Sequence, residues 1–138
     1  MVYYASLYDR ADGTKNLLVL NGKEGFIPGT DVYVRYNEDG SLTIEGSSSS
    51  RGQKQIGILL LEPGIYSFSG VSGMDCKKIV LDLETKKNNH FIRITQDIGP
   101  NESASFEITE KTLIGAYVGV FNGSEGMSTA RPVIYREN

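Results

Sequence analysis

Along most of this chain apolar and polar residues alternate, and a period of two places every second side chain on one face of a strand. Val32, Val34 and Tyr36 alternate with Tyr33 and Arg35, and Leu42 and Ile44 alternate with Thr43 and Glu45. Between the two runs stands Asn37-Glu38-Asp39-Gly40. Its Asp-Gly pair suits the positive φ of a tight turn, so the pattern predicts a hairpin. Ile56, Ile58 and Leu60 form the next alternating set; Glu62-Pro63-Gly64 breaks it, and Tyr66 and Phe68 resume with Ser67 and Ser69. Proline followed by glycine fits the centre of a type II turn, which predicts a second hairpin.

Further on, Ile79, Leu81 and Leu83 alternate with Val80 and Asp82, and Phe106 and Ile108 with Ser105 and Glu107. The stretch Lys77 to Lys87 also admits a helix, since Ile79 and Leu83 stand four apart, but its period-two set favours a strand. Gly115 to Phe121 is apolar at successive positions, as in a central strand covered on both faces. Pro132 places the last run, Ala130 to Arg136, at a sheet edge or strand end. The expected core includes Val34, Ile44, Ile58, Tyr66, Phe68, Leu81, Ile94, Phe106 and Val118. With 16 glycines separating these short runs, the fold class predicted is all-β, an antiparallel two-sheet sandwich of jelly-roll-like layout. One domain over residues 1–138 is expected.

Composition narrows the chemistry. A net charge of -3 argues against a protein that tracks nucleic-acid phosphates. No apolar run reaches the ~20 residues that span a bilayer, so no membrane insertion is expected. MVYYASLYDR does not read as a secretory signal. The lone cysteine, Cys76, rules out an internal disulfide and a cysteine-based zinc site.

A set of turn and strand motifs recurs in a recognisable order: KNLLVLNG (Lys15 to Gly22), VRYNEDGSLTIEGSSSS (Val34 to Ser50) and LLLEPGIYSFSG (Leu59 to Gly70), then FEIT (Phe106 to Thr109), YVGVFNGSEG (Tyr117 to Gly126) and RPVI (Arg131 to Ile134). This order resembles a β-sandwich module of tail and baseplate structural proteins from phages and prophages of Gram-positive bacteria, itself similar to jelly-roll carbohydrate-binding modules. The sequence departs from the family pattern at Glu45-Gly46-Ser47-Ser48, which affects a loop. The resemblance implies a non-catalytic structural module, assembled as a homo-oligomer or with other tail proteins and gripping host cell-surface glycans. Its location would then be the virion tail. The alternative is a free-standing bacterial lectin-like domain, cytoplasmic as expressed. The motifs specify a fold and carry no chemistry of their own.

Catalytic sets are hard to assemble from these residues. His90 is the one histidine and follows Lys86-Lys87-Asn88-Asn89, where a surface role is the expectation. Cys76 lacks a surrounding motif, and Ser124 and Ser128 sit among glycines without a strand-to-helix elbow. Glu62, Asp82, Glu84, Glu107 and Glu110 could pair as in a glycosidase, yet each is explained as an outward strand position or a turn residue. Asp82 and Glu84 are expected to balance Lys77, Lys78, Lys86 and Lys87 on a solvated edge. Asp9 and Asp12 near Gly13 lack the spacing of a calcium loop, so neither metal nor cofactor is expected. Binding remains. Of thirteen aromatics eight are tyrosine and none is tryptophan. Tyr33 is a candidate exposed ring, and Tyr3, Tyr4 and Tyr8 crowd the first run, Val2 to Tyr8, beyond what one buried face can hold. These four are the candidate ligand or interface contacts, since tyrosine is enriched in both.

Overall fold

The computed structural model describes residues 9–10, 12–70, 74–99 and 102–138. Among them the strands are, in chain order, β1 (Gly25–Phe26), β2 (Asp31–Tyr36), β3 (Leu42–Ser48), β4 (Gly52–Leu61), β5 (Gly64–Ser69), β6 (Met74–Lys87), β7 (His90–Arg93), β8 (Ala104–Ile108), β9 (Thr112–Ala130) and β10 (Val133–Arg136). The described residues contain no helix. Strands β1-β2-β3-β9-β6-β7 form a large antiparallel sheet that β4 joins by pairing with β9, and β10-β5-β8 form a smaller one. The protein is an all-β structure of two antiparallel sheets, as the alternation predicted.

Strand β9 is the spine. Its first half pairs with β4, from Thr112 opposite Leu61 to Val120 opposite Gly52, and its second half pairs with β3. Along its other edge runs β6, from Met74 opposite Ser128 to Glu84 opposite Gly115. Between these ends the β9 residues Phe121 to Ser124 stand against Lys78 alone. Ser124 Oγ closes this bulge, donating to Lys78 O and accepting from Phe121 N. Ser124 and Ser128 are therefore buried strand residues of β9 rather than the loop serines expected from their glycine neighbours.

The first predicted hairpin is present: β2 pairs with β3, and Gly40 N donates to Asn37 O across the turn. Of the Asp-Gly pair only Gly40 takes the positive φ, at 85°, where a side chain is disfavoured. The second is not a hairpin. Strands β4 and β5 belong to different sheets, so Glu62-Pro63-Gly64 carries the chain from one layer to the other. Tyr66 Oη donates to Glu62 O at 2.6 Å and ties this crossing down. Lys77 to Lys87 lies within strand β6, and β10 is an edge strand, both as expected.

Between the sheets pack Val34, Leu42, Ile44, Leu81, Leu83 and Val118 from the larger and Tyr66, Phe68, Phe106 and Ile134 from the smaller, all buried. Tyr66 and Phe106 stack with ring centroids 5.6 Å apart. Ile94 is partly buried against this core. Ile58 is the exception among the expected core residues: it is 39% exposed. The register of β4 against β9 slips between Gln55 and Gly57, so Ile56 enters the core and Ile58 turns outward. A bulge reverses the faces that strict alternation would assign.

A second correction concerns β6. Leu81 and Leu83 enter the core, so Asp82 and Glu84 belong to the opposite face, yet they are only 3% and 8% exposed. They do not form a solvated edge. β7 and the segment after it fold back beside β6, with Ile94 N donating to Leu83 O and Ile98 N to Leu81 O, and cover them.

Candidate functional site

The outer face of the large sheet, opposite the small sheet, carries a row of side chains set by strand register. Gln55 on β4 lies opposite Tyr117 on β9, and Tyr117 lies opposite Asp82 on β6. One step along, Ile58, Gly115, Glu84 and Arg93 form a second row across β4, β9, β6 and β7. Beyond it Leu60 faces Leu113, and Lys86 faces Phe91. The β6–β7 turn that presents Phe91 and Arg93 has Asn88 and Asn89 at φ of 53° and 65°. Asparagine tolerates that left-handed region, and two such residues in sequence make the twist a tight hairpin needs.

These rows enclose a groove of about 260 Å³, lined by Gln55, Ile58, Glu84, Thr85, Lys86, Phe91, Leu113, Gly115 and Tyr117. Its aromatic part is a pair: Phe91 meets Tyr117 edge to face, centroids 6.0 Å apart at 88°. Tyr117 Oη points at Gln55 Oε1, 3.4 Å away. Lys86 Nζ stands 5.7 Å from the centre of the Phe91 ring. Phe91 is 55% exposed, so its ring is available to a ligand.

Two residues from Glu84, on the same face of β6, lies Asp82. Burial pushes its carboxyl up to about 8, helped by a hydrogen bond and charge from Glu84, while Arg93 pulls the other way. Arg93 is only a partial counterion: its Nη2 is 3.9 Å from Asp82 Oδ2, while Nη1 holds Asp97 Oδ1 at 2.6 Å. Asp82 Oδ2 is buried without a hydrogen-bond partner. Burial, then the charges of Glu84 and Asp82, also raises the Tyr117 hydroxyl, keeping it protonated as a donor.

The sequence candidates fall elsewhere. Tyr3, Tyr4 and Tyr8 lie outside the described residues, as does the Cys76 side chain. Tyr33 sits on the outer face of β2, half-buried, with Phe26 edge-on at 4.9 Å, Arg35 at 5.6 Å and Glu24 Oε2 3.4 Å from its hydroxyl. Its register runs through Glu45 to Met127, ten positions along β9 from Tyr117, so the two tyrosines do not share a site. His90 is exposed at the start of β7. Asp9 accepts from Asn16 N and Lys15 Nζ, and Asp12 accepts from Thr14 N, which hold both carboxyls below their usual range.

No protein-family model matches the chain, and no curated protein sequence matches it. Solved structures do. A chain in the crystal structure of accessory secretory proteins 1, 2 and 3 of Streptococcus pneumoniae aligns at 13% identity and a TM-score of 0.54, over 86% of this chain and 96% of that one. A mutant family 29 carbohydrate-binding module aligns at 10% identity and a TM-score of 0.45, over 88% of this chain and 85% of the other. A C-terminal family 22 carbohydrate-binding module from Clostridium thermocellum aligns at 11% identity and a TM-score of 0.36, over 83% of this chain and 87% of that one. At such identities the likeness is one of fold.

Proposed function

We propose that this chain is a non-catalytic binding module that holds a carbohydrate in the groove over Tyr117. The observation that carries the reading is the composition of one wall against another. Phe91, 55% exposed, offers ring surface to the C–H face of a sugar, the nearly buried Tyr117 ring forms the floor beside it, and Glu84 and Gln55 line the same groove with acceptors for its hydroxyls. Such a mixture of apolar surface and fixed acceptors matches the amphipathic faces of a pyranose. A glycosidase would need its carboxyls about 5 Å or more apart. Asp82 and Glu84 are only 3% and 8% exposed and do not flank an open cleft, which favours binding over cleavage.

The finer reading is a tail or baseplate module of a phage or prophage whose groove grips a glycan of the host surface. The order of motifs from Lys15 to Tyr135 supports it, and assembly with further copies or other tail proteins rests on the tyrosines of Val2 to Tyr8. A free-standing lectin-like domain would use the same groove. Tail, holin and endolysin genes beside this one would favour the first.

The direct test is titration against a panel of neutral oligosaccharides by calorimetry. Binding that Tyr117→Ala and Phe91→Ala each weaken at least about tenfold, a loss of about 1.4 kcal/mol, is the expected result. A panel with no binder, or binding indifferent to both changes, would overturn it.

A further inference from the structure

The outer face of the large sheet continues beyond Tyr117, and its far end repeats the ingredients of the groove. Phe26 on β1, Tyr33 on β2, Glu45 on β3 and Met127 on β9 stand in one row of the ladder. At 59% and 58%, Phe26 and Met127 are the two most exposed large apolar side chains among the described residues. The Tyr33 ring between them is held before any ligand arrives. Phe26 meets it edge to face with centroids 4.9 Å apart, Glu24 Oε2 stands 3.4 Å from its hydroxyl, and the Arg35 guanidinium lies 5.6 Å from its centre. Arg35 is steadied in turn by Glu45, with Nη1 3.5 Å from Oε1. Two residues along each strand, Asp31, Ser47 and Glu125 form the next row on the same face. With Thr30 and Ser49 they line a groove of about 420 Å³ whose side chains are hydroxyls and carboxylates.

From this arrangement we propose that the far end of the face is a second carbohydrate site, in which a neutral sugar packs on Tyr33, Phe26 and Met127 and donates hydroxyl protons to Asp31, Ser47 and Glu125, and that one glycan chain occupies both sites at once. The inference rests on the carbohydrate reading above. The charge of the patch selects this occupant. Asp31, Glu45 and Glu125 stand among the apolar groups against one described cation, Arg35. A protein partner would have to bury those carboxylates, whereas the cores of protein interfaces are depleted of charge. Sugar hydroxyls instead donate to them, and a fixed ring beside fixed acceptors lowers the ordering cost of binding. The spacing suits a chain. Tyr117 and Met127 lie opposite Asp82 and Asp75 of β6, which puts about 23 Å of sheet between the two sites. A trisaccharide is too short to bridge them, and a polysaccharide is long enough to gain from both.

The test uses the intact chain, labelled with nitrogen-15, titrated with trisaccharides of mannose, glucose and xylose and then with the matching soluble polysaccharides. A trisaccharide that binds is expected to shift two separate sets of backbone amides, one around Phe91 and Tyr117 and the other around Tyr33, Ser47 and Met127. Tyr33→Ala should weaken binding at the second set at least about tenfold and leave the first unchanged. Phe26→Ala, at an exposed ring of a two-residue edge strand, should weaken the same set without disturbing β2. The polysaccharide should bind the parent at least about a hundredfold more tightly than the trisaccharide, and each variant should lose most of that gain. Shifts confined to the Tyr117 groove, or a polysaccharide gain that both variants keep, would overturn this inference and leave carbohydrate binding intact. Shifts at Phe26 and Met127 on concentrating the protein without sugar would mean that a second copy covers the patch, and would overturn it as well. Absence of any shift with every sugar would overturn the carbohydrate reading and this inference with it.

Discussion

The ring of Tyr117 lies across Gly115, with Cε2 at 2.8 Å and Oη at 2.9 Å from the point a β-carbon on that glycine would occupy. Two residues apart on one strand, they share the outer face of β9, and the missing side chain lets the ring lie along the sheet beside Glu84. Gly115 is not among the positive-φ positions, so alanine there meets no backbone strain. Gly115→Ala is therefore a change aimed at the ring alone. It should lift Tyr117 off the sheet, lower stability by about 1–3 kcal/mol through overcrowding and weaken sugar binding. Thermal unfolding and calorimetry check the two effects. A variant that binds as the parent does would separate the ring's position from recognition.

The buried pair predicts how stability depends on pH. Asp82 is raised in the folded chain to about 8 from an unfolded value of 3.8, so between those values the folded state binds more protons than the unfolded one. Stability is then greatest below the unfolded value, declines as pH rises through the window and levels off above about 8. Asp82→Asn removes that decline. Above the window the variant should be more stable than the parent by about 1–3 kcal/mol, the usual penalty of a buried group left unsatisfied. Urea unfolding from acid to alkaline pH checks it, and parallel curves for the two proteins would contradict the assignment.

Ile58 and Phe68 test the register of the two strands flanking the sheet crossing. Both follow the same period-two pattern in sequence, yet Phe68 is fully buried and Ile58 faces the groove. Phe68→Ala is expected to cost about 3–5 kcal/mol. Ile58→Ala should cost under about 1 kcal/mol, as for a surface position outside any special feature. Denaturant unfolding of both variants decides it, and a large loss at Ile58 would mean that β4 carries no bulge.

That contrast marks where the sequence stops being informative. Alternation and turn chemistry made β2, β3, β5, β6 and β8 legible, because each is a local property of a few residues. A bulge at Gln55–Gly57 has no local signature, since it exists only against the partner strand β9. The same holds for the sheet to which β5 belongs, for Pro63-Gly64 turns a chain equally well within a sheet or between two. The site was lost for a related reason. Asp82 and Glu84 alternate with core leucines as outward strand residues do, and their burial comes from β7 and the backbone after it folding alongside. One signal was available: Gly115 to Phe121 is apolar at successive positions, so its outer face needed a cover or a ligand.

Phe91 is the groove residue whose loss should leave the fold untouched. It extends from a four-residue strand, its ring is more than half exposed, and its contacts are the Tyr117 ring, nearly perpendicular to it, and the Lys86 ammonium. The strand itself is held by backbone pairing to β6, from Lys87 opposite His90 to Glu84 opposite Arg93, which a side-chain truncation does not touch. An exposed edge-to-face aromatic pair is worth about 0.5–1.5 kcal/mol, and the cation over the ring adds about 0.5–1. Phe91→Ala should therefore lower stability by no more than about 2 kcal/mol. Its effect on a stacked sugar should be larger in proportion, because the ring is the exposed aromatic surface of the groove while Tyr117 is nearly buried. Phe91→Tyr keeps the surface and should restore most of the affinity. Measuring both variants by calorimetry and thermal unfolding separates recognition from folding. Loss of binding in the alanine variant with recovery in the tyrosine one is the expected pattern, and equal binding by all three proteins would remove Phe91 from the site.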